Sequence, residues 1–116
     1  SLTDAILGAL ALGDIGLHFP DTDTKWKEAD SNIFLCWSLE RAKQMHFKLA
    51  NIDLTIICEK PKINSYRKQL IFNLSKICAL EDNKINVKAT TTEGLGFTGR
   101  EEGIASMCSV LLHEFI

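Results

Sequence analysis

Residues 85–103, INVKATTTEGLGFTGREEG, decide how this chain is read. Ile85, Val87 and Ala89 alternate with Asn86, Lys88 and Thr90, the period of a strand with one apolar face. Thr90, Thr91 and Thr92 then set three hydroxyls in a row, with the carboxylate of Glu93 directly behind them. Glycines follow at 94, 96, 99 and 103, and Arg100 adds a cation able to bind in bidentate fashion. Hydroxyls at a strand end, backbone N–H groups of a glycine loop and a lone carboxylate are the chemistry of a cradle for a phosphate with its metal ion. The same residues also suit a strand running into an ordinary glycine turn.

Gly94, Gly96 and Gly99 spell G-x-G-x-x-G, the dinucleotide fingerprint. That motif has to open a helix and be followed, roughly 20 positions on, by an acidic residue and further strands. The sequence reaches Ile116 before that position, so a Rossmann reading fails.

Outward from this stretch, 116 residues suit one domain with a real core. Apolar residues make up 46% and charged residues 24%, as in ordinary globular proteins, and a net charge of −2 argues against nucleic acid as the main partner. The apolar run from Ala5 to Gly13 is too short to span a bilayer, and no signal peptide or repeat is visible. Cys36, Cys58, Cys78 and Cys108 stand far apart in apolar surroundings and read as buried free thiols. His18, His46 and His113 are equally scattered, without metal-ligand spacing.

Leu2 to Leu12 reads as a helix stopped by Gly13. The loop after it, with Asp14, Asp21 and Asp23 beside Phe19, Pro20 and Trp26, is long enough to be functional; a solvated acidic loop is the other reading. Asp30 or Ser31 caps a second helix running to about Lys48, with Leu35, Leu39, Ala42 and Met45 inward and Trp37 as packing. Ile52 to Cys58 is a β-branched strand ended by Pro61, which Lys60 and Lys62 flank as a second phosphate-facing group or as two solvated lysines. A third helix covers about Ser65 to Leu80. The segment from Ile104 to Phe115 fits a helix or a buried strand. Alternating strands and helices predict an α/β layer, helices packed on one face of a small mixed sheet.

The motifs LTDAILGALALGDIG, HFPDTD, DLTIICEKPK, INVKATTTE and LGFTGR-x-EGIA, in this order and nearly end to end, resemble the 2-C-methyl-D-erythritol 2,4-cyclodiphosphate synthases of the non-mevalonate isoprenoid pathway. The resemblance implies a homotrimer around a three-fold axis, with active sites between neighbouring subunits and the last segment a strand. It implies that 4-diphosphocytidyl-2-C-methyl-D-erythritol 2-phosphate is cyclised with release of CMP. Position by position, Asp14, Ile15 and Gly16 with Phe19, Pro20, Asp21, Thr22 and Asp23 would line the methylerythritol phosphate pocket. Cys58, Glu59, Lys60, Pro61, Lys62, Ile63 and Asn64 would form the cytidine site, largely through backbone. Thr90, Thr91 and Thr92 would hold the diphosphate, with Thr91 stabilising the transition state, and Glu93 would hold magnesium or manganese. Phe97 and Arg100 match positions near the trimer axis.

The same resemblance implies catalytic zinc, whose family ligands fall upstream of Ser1, so this chain by itself is expected to lack zinc and activity. Glu28 and Glu101 stand where the family usually has Gly, and Glu101 would be strained if a positive φ is needed there. A bacterial cytoplasmic or plastid stromal enzyme is implied; a non-catalytic nucleotide-binding or assembly module of the same fold is the alternative.

Overall fold

The computed structural model describes residues 1–20 and 30–116. Helices α1 (Leu2–Ala9), α2 (Ile15–His18) and α3 (Ser31–Gln44) precede strand β1 (Phe47–Ile57). A single 3₁₀ turn (Ile63–Ser65), α4 (Arg67–Cys78) and a second such turn (Asp82–Lys84) lead to β2 (Ile85–Thr90). The short α5 (Gly96–Gly99) and β3 (Ala105–Glu114) complete the order. Among the described residues the sheet has the order β2-β1-β3, with β1 parallel to β2 and antiparallel to β3. The segment that fitted helix and strand equally is therefore a strand.

Each long helix covers one strand: α4 lies on β2, α3 on β1 and α1 on β3. The core is the seam between them. Leu2, Ile6, Leu35 and Ala42 meet Leu49, Ile52, Ile85 and Val87, with Leu70, Leu74 and Ile77 packed alongside. Apolar burial on this one face is what holds the layer together. The opposite face carries Asn86, Asp53 and Ser109 in one row and Lys88, Thr55 and Met107 in the next. There the Asp53 carboxylate accepts from Lys88 Nζ at 2.9 Å and Asn86 Nδ2 at 3.1 Å. Those two bonds, the Lys88 one foremost, hold the Asp53 carboxyl below its usual pKa.

Several boundaries differ from the sequence expectations. α1 stops at Ala9 rather than at Leu12, because Ala11 takes a left-handed φ of 59° and the Leu12 N–H returns to the Leu7 carbonyl. α3, capped by the Asp30 carboxylate on the Asn32 N–H, ends at Gln44, where His46 turns left-handed at φ 66°. β1 then begins at Phe47, five positions before the expected Ile52, across a bulge between Leu49 and Asn51. α4 is shorter than expected at both ends. Cys58 is buried, Cys78 and Cys108 are half-buried and Cys36 is exposed, so the expectation of four buried thiols fails at Cys36. Trp37 is packing, its ring 4.8 Å from His18 and 5.0 Å from Phe19. No helix among the described residues is long and apolar enough to cross a membrane.

Candidate functional site

β1 and β2 run parallel, so their carboxyl ends, Ile57 and Thr90, finish side by side. β3 starts at that same end, with Ala105 opposite Ile57. The loop after β1 and the loop between β2 and β3 therefore converge where ligand crevices form in α/β sheets.

The first loop is pinned at both ends. The Cys58 N–H donates to the Thr90 carbonyl at 3.1 Å, and the buried Cys58 thiol lies 3.6 Å from the Pro61 carbonyl. Ile63 sinks into the core, and Tyr66 N–H closes the 3₁₀ turn on its carbonyl at 2.8 Å. Between these anchors Lys60, Pro61, Lys62 and Asn64 stay exposed, with a cis Lys60–Pro61 peptide. Cys58, Glu59, Pro61, Lys62, Ile63 and Asn64 then wall a cavity of about 150 Å³ with Ala89, Thr90 and Thr91. Two groups of residues predicted from sequence are brought together there. A larger hollow, about 810 Å³, opens between α4 and the 82–84 turn, lined by Lys68, Phe72 and Asp82 among others. It is wide open and lies away from this convergence, so size alone does not mark the site.

The second loop turns sharply. Glu93 and Gly94 are both left-handed, at φ 55° and 87°. Thr91 Oγ1 accepts from the Glu93 N–H at 2.9 Å, and Glu59 Oε1 accepts from the Gly94 N–H at 3.2 Å. Leu95 N–H donates to the Thr92 carbonyl at 3.2 Å. The amides of residues 93–95 are thus all engaged inside the protein, those of Glu93 and Gly94 by side chains. What faces the cavity is Thr90 and Thr91. With one lone pair of Thr91 taken by Glu93 N–H, its hydroxyl hydrogen is left to donate outward.

Thr92 has a different position. Its hydroxyl donates to the Leu95 carbonyl and sits 3.0 Å from the hydroxyl of Thr98, which is only 4% exposed. Because Thr92 has a single hydrogen, Thr98 is the donor of that pair. Thr98 was not singled out by sequence reasoning; a lone Thr inside L-G-F-T-G-R gives no periodic signal. Gly99 is equally constrained, since a Cβ there would lie 2.1 Å from the Gly94 carbonyl carbon. Glu101 does adopt a positive φ, 62°, as the family glycine implied, and its carboxylate lies 3.8 Å from Lys60 Nζ. Arg100 is held by Glu102 through contacts of 2.7 and 3.3 Å, and Phe97 is exposed beside Gly103.

The Asp14 segment is tied to α1 and α3 instead. Asp14 caps α2 by accepting from the Leu17 N–H at 2.9 Å, while the Ile15 N–H donates to Asp4 at 2.8 Å. Phe19 packs on Phe34 and Trp37 of α3, with Gly16 and Pro20 exposed beside it. None of these residues lines the Pro61–Thr90 cavity. Asp21, Thr22 and Asp23 lie outside the described residues, as do Trp26 and Glu28.

This is a small α/β domain with helices on a mixed sheet and a loop-built crevice at the ends of its parallel strands. The chain belongs to the YgbB family, whose model matches residues 1–113. It is 52% identical over 112 residues to the bifunctional enzyme IspD/IspF of Paracoccus denitrificans, covering 97% of this chain and 30% of that protein. The chain thus spans about three-tenths of the length of such curated relatives. Its fold superposes on the bifunctional IspDF of Campylobacter jejuni with TM-score 0.94 and 46% identity, over 99% of this chain and 31% of that one. A 2C-methyl-D-erythritol-2,4-cyclodiphosphate synthase solved in its CDP-bound form gives TM-score 0.87 and 36% identity, over 97% of this chain and 72% of that one.

Proposed function

We propose that this domain cyclises 4-diphosphocytidyl-2-C-methyl-D-erythritol 2-phosphate to 2-C-methyl-D-erythritol 2,4-cyclodiphosphate, releasing CMP. The observation that carries this reading is the shared cavity of the Pro61 loop and Thr90–Thr91, a ring-sized space directly beside donor hydroxyls. Likeness to a synthase solved with CDP supports it. The Cys58–Asn64 loop would receive the cytidine, and the diphosphate would extend toward Thr91.

In the reaction an oxygen of the substrate's 2-phosphate attacks the β-phosphorus. The bond from that phosphorus to the bridging oxygen breaks, and CMP leaves with the electron pair. No protein nucleophile is consumed, so the protein's task is positioning and charge stabilisation. The outward Thr91 hydroxyl is placed to donate to a phosphoryl oxygen as charge builds there. The exposed Glu93 carboxylate fits a divalent cation that keeps several waters and takes its other ligands from phosphate. Magnesium or manganese, when bound by Glu93, would neutralise the diphosphate charge. Among the described residues no three His, Cys, Asp or Glu side chains gather as a metal site, so no step is assigned to zinc.

The catalytic unit we propose is a homotrimer with sites between neighbouring copies. Met107 (65% exposed) and Leu111 (60%) stand on the uncovered sheet face, and Ile104 and Phe97 are exposed nearby, apolar surface suited to self-association. The Asp14 segment, which does not line the cavity of its own chain, would complete the cavity of a neighbour. Light scattering showing a stable monomer at micromolar concentration would reject the assembly. The reaction is tested by giving the full-length protein the substrate and following phosphorus resonances: equal amounts of cyclodiphosphate and CMP are expected, and absence of both overturns the reading.

A further inference from the structure

We propose that Glu59 is a positioning residue: its side-chain carboxylate ties the nucleotide loop to the turn that carries Glu93, so that one loop sets the geometry of the other. The inference rests on the cyclase reading above, but it concerns a link that the expected roles do not contain, since that loop is expected to act on cytidine largely through backbone.

The Thr91–Gly94 turn has an intrinsic cost. A non-glycine residue at φ 55° followed by a second left-handed residue is sparsely populated by free chains and persists only where its surroundings hold it. Three contacts do so beyond the Leu95 N–H to Thr92 carbonyl bond that closes the turn itself. Thr91 Oγ1 holds the Glu93 amide, the Gly99 backbone supports Gly94 from behind, and Glu59 Oε1 holds the Gly94 amide from the other loop. The first is made within the turn and the second comes from α5. Only the third crosses to the nucleotide loop, joining residues 35 apart in sequence. It is also charge-assisted, an ionised acceptor on a backbone N–H, which makes it the stronger kind of hydrogen bond.

The neighbouring residue reaches across the same gap, Lys60 to Glu101, but at 3.8 Å between exposed groups that ion pair adds little. Glu59 is half-buried against the cavity it helps to wall, and Gly94 is bonded to the residue bearing the metal-binding carboxylate. Any shift of the Pro61 loop on receiving a nucleotide is therefore transmitted to Glu93. Support of this kind around a metal ligand typically accounts for roughly ten- to a hundredfold in metal affinity.

The test uses the full-length protein and the variants Glu59→Gln, which keeps an acceptor oxygen at the same reach, Glu59→Asp, which falls short by one methylene, and Glu59→Ala. Three quantities are read: Mn²⁺ affinity in the presence of CDP by electron paramagnetic resonance, CMP affinity without metal by calorimetry, and hydrogen exchange of the peptide spanning residues 91–99. The expectation is a Mn²⁺ dissociation constant raised roughly tenfold or more in Asp and Ala, with faster exchange at the turn. CMP affinity should stay within about twofold, and Gln, which keeps the acceptor oxygen but not its charge, should fall between wild type and Asp. Unchanged Mn²⁺ affinity and exchange in Asp and Ala would overturn the proposal, as would an equal loss of CMP affinity in all three, which would make Glu59 a direct nucleotide contact. If Glu59→Ala does not fold, the Gln–Asp pair decides. A wild type that binds neither CMP nor Mn²⁺–CDP would sink the cyclase reading, while the exchange comparison would still judge the link.

Discussion

Gly94 and Gly99 touch backbone to backbone: a Cβ on Gly99 would stand 2.1 Å from the Gly94 carbonyl carbon and 2.7 Å from its oxygen. The clash is with main chain, which has no rotamer to escape into. Gly99→Ala is expected to push the Glu93–Gly94 turn out of place, costing about 1–3 kcal/mol of stability and most of the turnover. Gly8→Ala is the control, because nothing lies within 4 Å of a Cβ there and the site is inside α1. It should stabilise by about 0.5–1 kcal/mol. Denaturant unfolding of both variants checks the pair; a Gly99→Ala protein as stable and active as wild type would show that the contact yields.

Glu93→Gln keeps the size and the left-handed backbone position but removes the negative charge. Turnover should fall on the order of a hundredfold, and added Mg²⁺ should not restore it. The unfolding midpoint should stay put, as should CMP affinity without metal, because Cys58 and Ile63 anchor the nucleotide loop independently. Near-normal turnover would make Glu93 no more than a turn residue.

Asp53 supplies a pH dependence. Its carboxyl titrates below the usual 3.8 because Lys88 and then Asn86 donate to it, while slight desolvation acts the other way. A depressed folded value means that the unfolded chain binds the proton more readily. The contribution is therefore complete above the ordinary carboxylate range and is lost as pH falls through the folded value. Lys88→Met should raise the Asp53 titration toward its ordinary position, read by carbon NMR, and flatten the acid side of the stability curve. An unmoved titration would assign the shift elsewhere.

Cysteine labelling tests the core. Burial, with Cys36 and Cys108 adding to it, pushes the Cys78 thiol up to about 11, and burial also raises Cys108. At pH 8 roughly one Cys78 in a thousand is thiolate, the reactive form. Iodoacetamide should modify the exposed Cys36 well before Cys78 or Cys108, as followed by peptide mass mapping. Equal rates would mean that α3 and α4 open readily from the sheet.

The sequence by itself determined the class of the domain and offered candidates for its site. Alternation over Ile85–Ala89 is a strand because period 2 puts Ile85 and Val87 on one face, and both are buried. The helical stripe of Leu35, Leu39 and Ala42 has one solution, against the sheet, and the Asp30 cap marks its start. Only the resemblance to the cyclodiphosphate synthases joined the motifs around Pro61 and Thr90 into one site; residue types alone left Lys60 and Lys62 as a second phosphate-facing group or two solvated lysines.

Tertiary structure decided where these patterns stop and which groups face which. The bulge at Leu49–Asn51 breaks alternation, so the first half of β1 looked like the tail of a helix. Val110 and Leu112 suited either element until pairing with Ile52 and Leu49 gave the segment its edge position. Whether an amide is free for a ligand was likewise invisible. The Gly94 N–H is taken by a carboxylate 35 positions away, and the Thr92 hydroxyl by Leu95 with Thr98 behind it. Hydrogen bonds to side chains distant in sequence leave no local period. Only the convergence of the parallel strand ends brings Glu59 to Gly94.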